Sequence, residues 1–93
     1  MESVLDKQLV RAIDLRLAVF QAKADNLLVD EMQLRAAAYL ISEILLPCCC
    51  MMCNKQKLEL LLSKTKLCEG SSMLTAKLAV LVYDDLARCN GLG

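Results

Sequence analysis

The stretch Leu78-Ala79-Val80-Leu81-Val82-Tyr83 decides the fold class. An apolar run this short suits a buried strand as well as a buried helix. No second run of comparable quality could pair with it as a strand, and the apolar residues around it recur at helical intervals. These residues are Leu74, Leu78, Leu81, Val82, Leu86 and Cys89. The spacing therefore predicts a helix, with Ser71 or Ser72 as its N-cap and Asn90-Gly91 at its end.

The N-terminal segment shows the same periodicity. Its apolar residues lie three or four positions apart, at Leu5, Leu9, Ile13, Leu17, Phe20 and Ala24. This spacing predicts one helix from about residue 3 to about residue 24. Ser3 is its expected N-cap, and Asp6 resembles the second member of a capping box. Asp25-Asn26 is the first turn signal, because both side chains can bond nearby backbone groups.

Two further helices are expected between residues 30 and 70. Asp30, with Gln33 three residues later, predicts the start of the first one. Its apolar face consists of Leu34, Ala37, Ala38, Ile41, Ile44 and Leu45. Pro47 should end it at or before Leu46, since proline disfavours the α conformation at the preceding residue. Pro47 also suits the first turn of the next helix. The C-terminal signals of that next helix are Lys64, Lys66 and Gly70.

These segments predict an all-α fold in a single domain that covers residues 1–93. The length allows one small domain, and the counts of three Gly and one Pro argue against a turn-rich β-sandwich. Short connections make a small antiparallel bundle of four helices the simplest packing. Three helices are the alternative, if the chain continues as a helix through Asp25-Asn26.

The run from Ala36 to Cys53 is the candidate for a membrane span. It has about eighteen residues, near the lower limit of about 17, and it contains Glu43 and Pro47. A buried helix in a soluble domain is therefore the preferred interpretation. The acidic start Met1–Lys7 does not resemble a signal peptide, which favours an intracellular, cytoplasmic location with cysteines as thiols. Peripheral or lipid-anchored association stays open.

The composition argues against several function classes. There is no His, so a classical catalytic triad cannot form and the commonest general base is missing. Eleven basic and eleven acidic side chains give zero net charge, which removes the electrostatic argument for nucleic-acid binding. No glycine-rich phosphate loop is present. We therefore expect a non-enzymatic protein without a cofactor. The lysines Lys55, Lys57, Lys64 and Lys66 could contact an acidic partner or phosphates, although a solvated face explains them more simply.

Residues 48–53 hold four thiols and two thioethers directly after Pro47. Such soft ligands suit Cu(I), and a helix N-terminus would lower thiolate pKa values. Soft-metal binding, with Cu(I) or zinc, or thiol-redox chemistry is thus the alternative function. The ligands named first are Cys50 and Cys53, with Cys49 third. Packing of Cys and Met as small, pliable apolar residues is the simpler interpretation, and thiol modification is a further one.

Apolar residues make up 57% of the chain, and the mean hydropathy is +0.44. One small core cannot hide all of them, and exposed apolar patches mark interaction sites. The sequence therefore predicts a protein–protein interaction module, either a small subunit of an assembly or a homo-oligomer. The candidate interface residues are Leu5, Leu9, Ile13, Leu17 and Phe20 on one face, and Leu74, Leu78, Leu81 and Leu86 on another. Both stripes equally fit a core.

The stretch from Leu78 to Leu86, with Gly91-Leu92-Gly93 after it, resembles a helix in the N-terminal region of Sun-family RNA cytosine methyltransferases. The similarity covers about the last thirty residues. It implies a helical region that precedes a catalytic domain and helps to hold RNA, so an RNA-associated helical domain is a further alternative. The chain contains no catalytic or cofactor-binding motif of that family, and its zero net charge departs from an RNA-binding role.

Overall fold

The computed structural model describes residues 4–21, 30–48 and 54–89 of the chain. All regular structure in these ranges is helical, which confirms the all-α prediction. The elements are α1 (Val4–Arg16), α2 (Ala18–Gln21), α3 (Glu31–Leu45), a 3-10 helix (Leu46–Cys48), α4 (Lys55–Ser63) and α5 (Ser72–Cys89). No helix in the described ranges is long and apolar enough to cross a bilayer.

The predicted first helix is divided at Leu17. The Leu17 N–H still donates to the Ile13 carbonyl at 2.8 Å, but the Phe20 N–H donates to the Leu17 carbonyl at 2.9 Å. This bond spans three residues instead of four, so the chain tightens at the junction of α1 and α2. Leu17 remains buried and Phe20 packs against the core. The periodicity therefore predicted the buried face correctly and missed the break. Ser3 and residues 22–24 lie outside the described residues.

Helix α3 begins and ends where the sequence predicts. The Asp30 carboxylate accepts hydrogen bonds from the Met32 N–H at 3.0 Å and the Gln33 N–H at 3.3 Å, so Asp30 is the N-cap. The α-helix ends at Leu45, and the following residues turn as a 3-10 helix that contains Pro47. The α-helix therefore ends before the proline, as predicted, although Leu46 itself keeps α-helical backbone angles of φ −52° and ψ −45°.

The start of α4 corrects a prediction. Pro47 was expected to open this helix, but α4 begins at Lys55, with Asn54 as its N-cap. The Asn54 side-chain oxygen accepts from the Gln56 N–H at 2.8 Å and from the Lys57 N–H at 3.4 Å. A capping side chain placed directly before the helix satisfies two N–H groups that a proline cannot.

The segment between α4 and α5, residues 64–70, is a run of turns that we call the connector. Lys64 is the C-cap of α4, so Lys66 and Gly70 lie beyond the helix end that they were expected to mark. Gly70 has φ +79°, a conformation that favours glycine. The Ser71 hydroxyl then accepts from the Leu74 N–H at 3.2 Å, which confirms Ser71 as a cap of α5. Asn90 and Gly91 lie outside the described residues.

The core lies between α3 and α5, with α4 packed on α5 and α1 packed on α3. Its fully buried large side chains are Ile13, Leu17, Ile41, Leu45, Leu58, Leu62, Leu78 and Val82. Ala37 and Ala38 on α3 and Ala79 on α5 are also buried. Each described helix of more than one turn thus contributes to one apolar cluster, and the outer faces of these helices are left for other contacts.

Candidate interaction surfaces

The two stripes predicted as interface candidates belong to the core of the chain. On α1 and at its end, Leu9, Ile13 and Leu17 are buried, and Leu5 and Phe20 pack partly buried against them. On α5, Leu74, Leu78 and Leu86 are buried and Leu81 is partly buried. Helical spacing selects these residues because it is the pattern by which a helix joins its own core. An exposed contact surface has to be sought elsewhere.

Large apolar side chains are exposed on the outer faces of the helices. In the described ranges they are Val4, Leu15, Val19, Met32, Tyr39, Leu60, Met73 and Val80. Single exposed apolar residues are ordinary on protein surfaces, whereas a group on adjoining helices is informative. Such a group occurs where α4 packs on α5.

We call this group the α4–α5 patch; it consists of Leu60, Met73, Ala76 and Val80. Leu60 and Ala76 line one open groove of about 360 Å³ between the two helices. Met73 and Val80 lie three residues before and four residues after Ala76, which places them on the same face of α5. The exposed fractions of Leu60, Met73 and Val80 are 60%, 55% and 40%. The polar residues around the groove are Gln56, Glu59, Ser63, Ser72 and Thr75.

A second depression, which we call the α1 groove, has a volume of about 530 Å³. It is lined by Lys7, Val10, Arg11, Asp14, Leu15, Ala18 and Lys66. The Asp14 carboxylate accepts a hydrogen bond from the backbone N–H of Lys66 at 2.8 Å. This contact joins residues 52 positions apart and holds the connector against α1. Nothing in the local sequence around either residue indicates the pairing.

The cysteine hypothesis falls largely on residues that the structure does not describe. Cys49, Cys50 and Cys53 lie outside the described ranges, and within those ranges no group of three His, Cys, Asp or Glu side chains could hold a metal ion. Cys68, in the connector, is described and is only 2% exposed.

Two threonine hydroxyls lie beside the Cys68 thiol. Burial raises its pKa, and the Asp14 charge acts in the same direction, while hydrogen bonds with the Thr65 and Thr75 side chains oppose the shift. The Thr65 hydroxyl also lies 2.6 Å from the Leu62 carbonyl oxygen, and the Thr75 hydroxyl lies 2.9 Å from that of Ser71. A buried thiol that keeps its proton is a poor nucleophile and a poor metal ligand, so this environment favours packing for Cys68.

The paired carboxylates Asp84 and Asp85 face different surroundings. Asp84 is exposed, whereas Asp85 is partly buried and lies 2.7 Å from the Arg88 guanidinium. The Asp85 carboxylate is also 3.3 Å from the Ser42 hydroxyl, whose closer partner, at 2.8 Å, is the Ala38 carbonyl. This contact links α3 to α5 at the margin of the core. The two carboxylates do not converge on one point, and the arrangement is structural.

Comparison with protein-family models, with curated proteins and with solved structures finds no match to this chain. Among the described residues, the α4–α5 patch and the α1 groove are the two surfaces considered for binding. The sequence did contain a signal for the first: Met73, Ala76 and Val80 recur at intervals of three and four, on the face of α5 opposite to its core stripe.

Proposed function

We propose that the chain is a non-enzymatic protein–protein interaction module, acting inside the cell as a small subunit of an assembly or as a homo-oligomer. The observation that carries this proposal is the α4–α5 patch, an apolar surface that spans two packed helices. In this proposal α1, α3, α4 and α5 form an antiparallel four-helix bundle, which uses one face of each helix for folding and the outer face of the α4–α5 pair for binding.

The size of the patch limits what it can do alone. Fully burying a Leu, Met or Val side chain contributes about 1.5–3 kcal/mol, so covering the half-exposed Leu60, Met73 and Val80 contributes roughly 2–5 kcal/mol. Association itself costs an estimated ~4–15 kcal/mol. A stable complex therefore also needs the polar residues around the groove, which would form the rim of an interface with an apolar centre.

Light scattering of the purified chain tests self-association. A homo-oligomer gives a mass that is a multiple of the 10.3 kDa chain, and the double variant Leu60→Glu/Val80→Glu gives the mass of one chain. Met32→Glu is the matched control, because Met32 is 81% exposed on α3 and lies outside the patch. A chain that stays monomeric at high concentration and takes no partner from its native cells contradicts the proposal.

Soft-metal binding or thiol-redox chemistry at residues 48–53 is the rival function, favoured by four thiols and two thioethers in six residues. Cys50 and Cys53 would be the first ligands and Cys49 the third. Elemental analysis of protein purified anaerobically tests this proposal. Cu(I) or zinc at about one equivalent per chain or per pair of chains, lost when Cys50 and Cys53 are replaced by Ser, supports it. Protein without either metal contradicts the metal site.

A further inference from the structure

The α1 groove has a positive charge excess in a chain whose net charge is zero. Three cationic side chains, of Lys7, Arg11 and Lys66, line it together with the single carboxylate of Asp14. That carboxylate accepts the Lys66 backbone N–H. Within residues 4–21, 30–48 and 54–89, none of the three cations forms an ion pair. Their charges are therefore available to an external anion.

Apolar side chains complete the lining. Val10 is partly buried against the core, whereas Ala18 is exposed and Leu15 is 71% exposed. Lys7 and Arg11 lie four residues apart and therefore share one face of α1, and Leu15 continues this face a further turn along. The groove thus combines a cationic edge with apolar contact area, the complement of an acidic amphipathic segment.

We propose that the α1 groove binds an acidic, amphipathic peptide segment of a protein partner. Its volume of about 530 Å³ suits several side chains, but the groove is widely open to solvent. An enclosed pocket is what buries most of a small ligand, whereas an open groove suits a segment that lies across it. The three cations favour a negatively charged partner, and Leu15 and Val10 contact its apolar side chains.

The contact between Asp14 and the Lys66 backbone positions Lys66, the third cation, at the groove. Lys7 and Arg11 come from α1, whereas Lys66 comes from the connector, and the 2.8 Å hydrogen bond holds the two elements together. Loss of this bond in Asp14→Ala would release Lys66 from the groove. This inference does not rest on the α4–α5 patch, because the two surfaces share no residue. Binding at the α1 groove is also distinguished by its salt dependence, since it relies on charged side chains.

Fluorescence anisotropy with a labelled peptide tests the proposal. The probe has about twelve residues, with glutamates around two leucines four positions apart. We expect binding that weakens as salt rises from about 0.05 M to about 0.5 M. The variant Lys7→Glu/Arg11→Glu should raise Kd by about tenfold or more. The matched control is Lys55→Glu/Lys57→Glu, which changes the net charge equally on exposed α4 residues outside the groove and should leave Kd within about twofold.

Two further measurements distinguish binding of the peptide from nonspecific binding of other polyanions. Leu15→Ser should weaken peptide binding by about threefold without changing the net charge, since it removes apolar contact only. Anionic phospholipid vesicles and a single-stranded oligonucleotide should bind more weakly than the peptide and should not respond to Leu15→Ser. The proposal is overturned if the peptide does not bind, if the groove and control variants weaken it equally, or if vesicles, the oligonucleotide or a second copy of the chain occupy the groove instead. Circular dichroism confirms that each variant is folded.

Discussion

Both faces of α5 carry large apolar side chains, but these side chains lie in opposite environments. Leu74, Leu78 and Val82 on the inner face are at most 2% exposed, whereas Met73 and Val80 on the outer face are about half exposed. The inner face meets α3 and α4 in the core. On the outer face, Ala76 lines the open groove that also contains Leu60. An apolar stripe therefore indicates burial, but the partner that buries it can be the chain itself or another molecule.

The largest expected difference between the two faces is in the stability that the chain loses when a residue on each face is replaced by Ala. Leu78→Ala removes a fully buried side chain and leaves a cavity, so it should lower the free energy of unfolding by about 2–5 kcal/mol. Val80→Ala on the outer face should change it by less than about 0.5 kcal/mol. Urea unfolding followed by circular dichroism measures both, in dilute protein without a partner. Equal losses would contradict the division into a core face and a contact face.

A smaller loss of stability is expected when the N-cap of α5, the helix that carries both faces, is removed. Ser71→Ala removes the side-chain acceptor of the Leu74 N–H, and it should destabilise the chain by about 1 kcal/mol. Ser72→Ala is the matched control, one residue later at an exposed position, and should change stability by less than about 0.5 kcal/mol. The same urea titrations measure both. If Ser72→Ala has the larger effect, Ser71 is not the cap that positions α5.

The smallest expected effect concerns the buried thiol next to the inner face. Burial raises the pKa of Cys68 above that of the unfolded chain. Above the ordinary thiol pKa the unfolded chain therefore loses this proton while the folded chain keeps it. The contribution of the protonated thiol to the free energy of unfolding is therefore fully present below the pKa of the unfolded chain. It is lost as the pH rises through the pKa of the folded chain. Urea unfolding at several alkaline pH values should show a steeper loss for the native chain than for Cys68→Ser. Identical slopes would contradict the shift.

Local signals predicted the elements that depend on a few neighbouring residues. Asp30 caps α3, Ser71 caps α5, and α3 ends before Pro47, because each signal acts within one helical turn. The start of α4 was mispredicted since Pro47 and Asn54 both carry helix-start signals, and only the capping geometry distinguishes them.

Features that depend on distant parts of the chain could not be predicted. The hydrogen bond between Asp14 and Lys66 spans 52 positions, and neither residue shows a local sign of it. The break at Leu17 preserves the apolar spacing and is therefore invisible to periodicity. The stripe that contains Ile13 fitted an interface and a core equally, and only the packing of α1 on α3 assigns it to the core.

Capture from native cells tests the contact face of α5 most directly. The tagged native chain, Leu60→Glu/Val80→Glu and the control Met32→Glu are expressed at equal levels, and the bound proteins are identified and quantified per chain. We expect the native chain and Met32→Glu to retain a partner, or an untagged second copy, in a fixed ratio, and the patch variant to lose it. Equal capture by all three, or no stoichiometric partner for the native chain, would contradict the account.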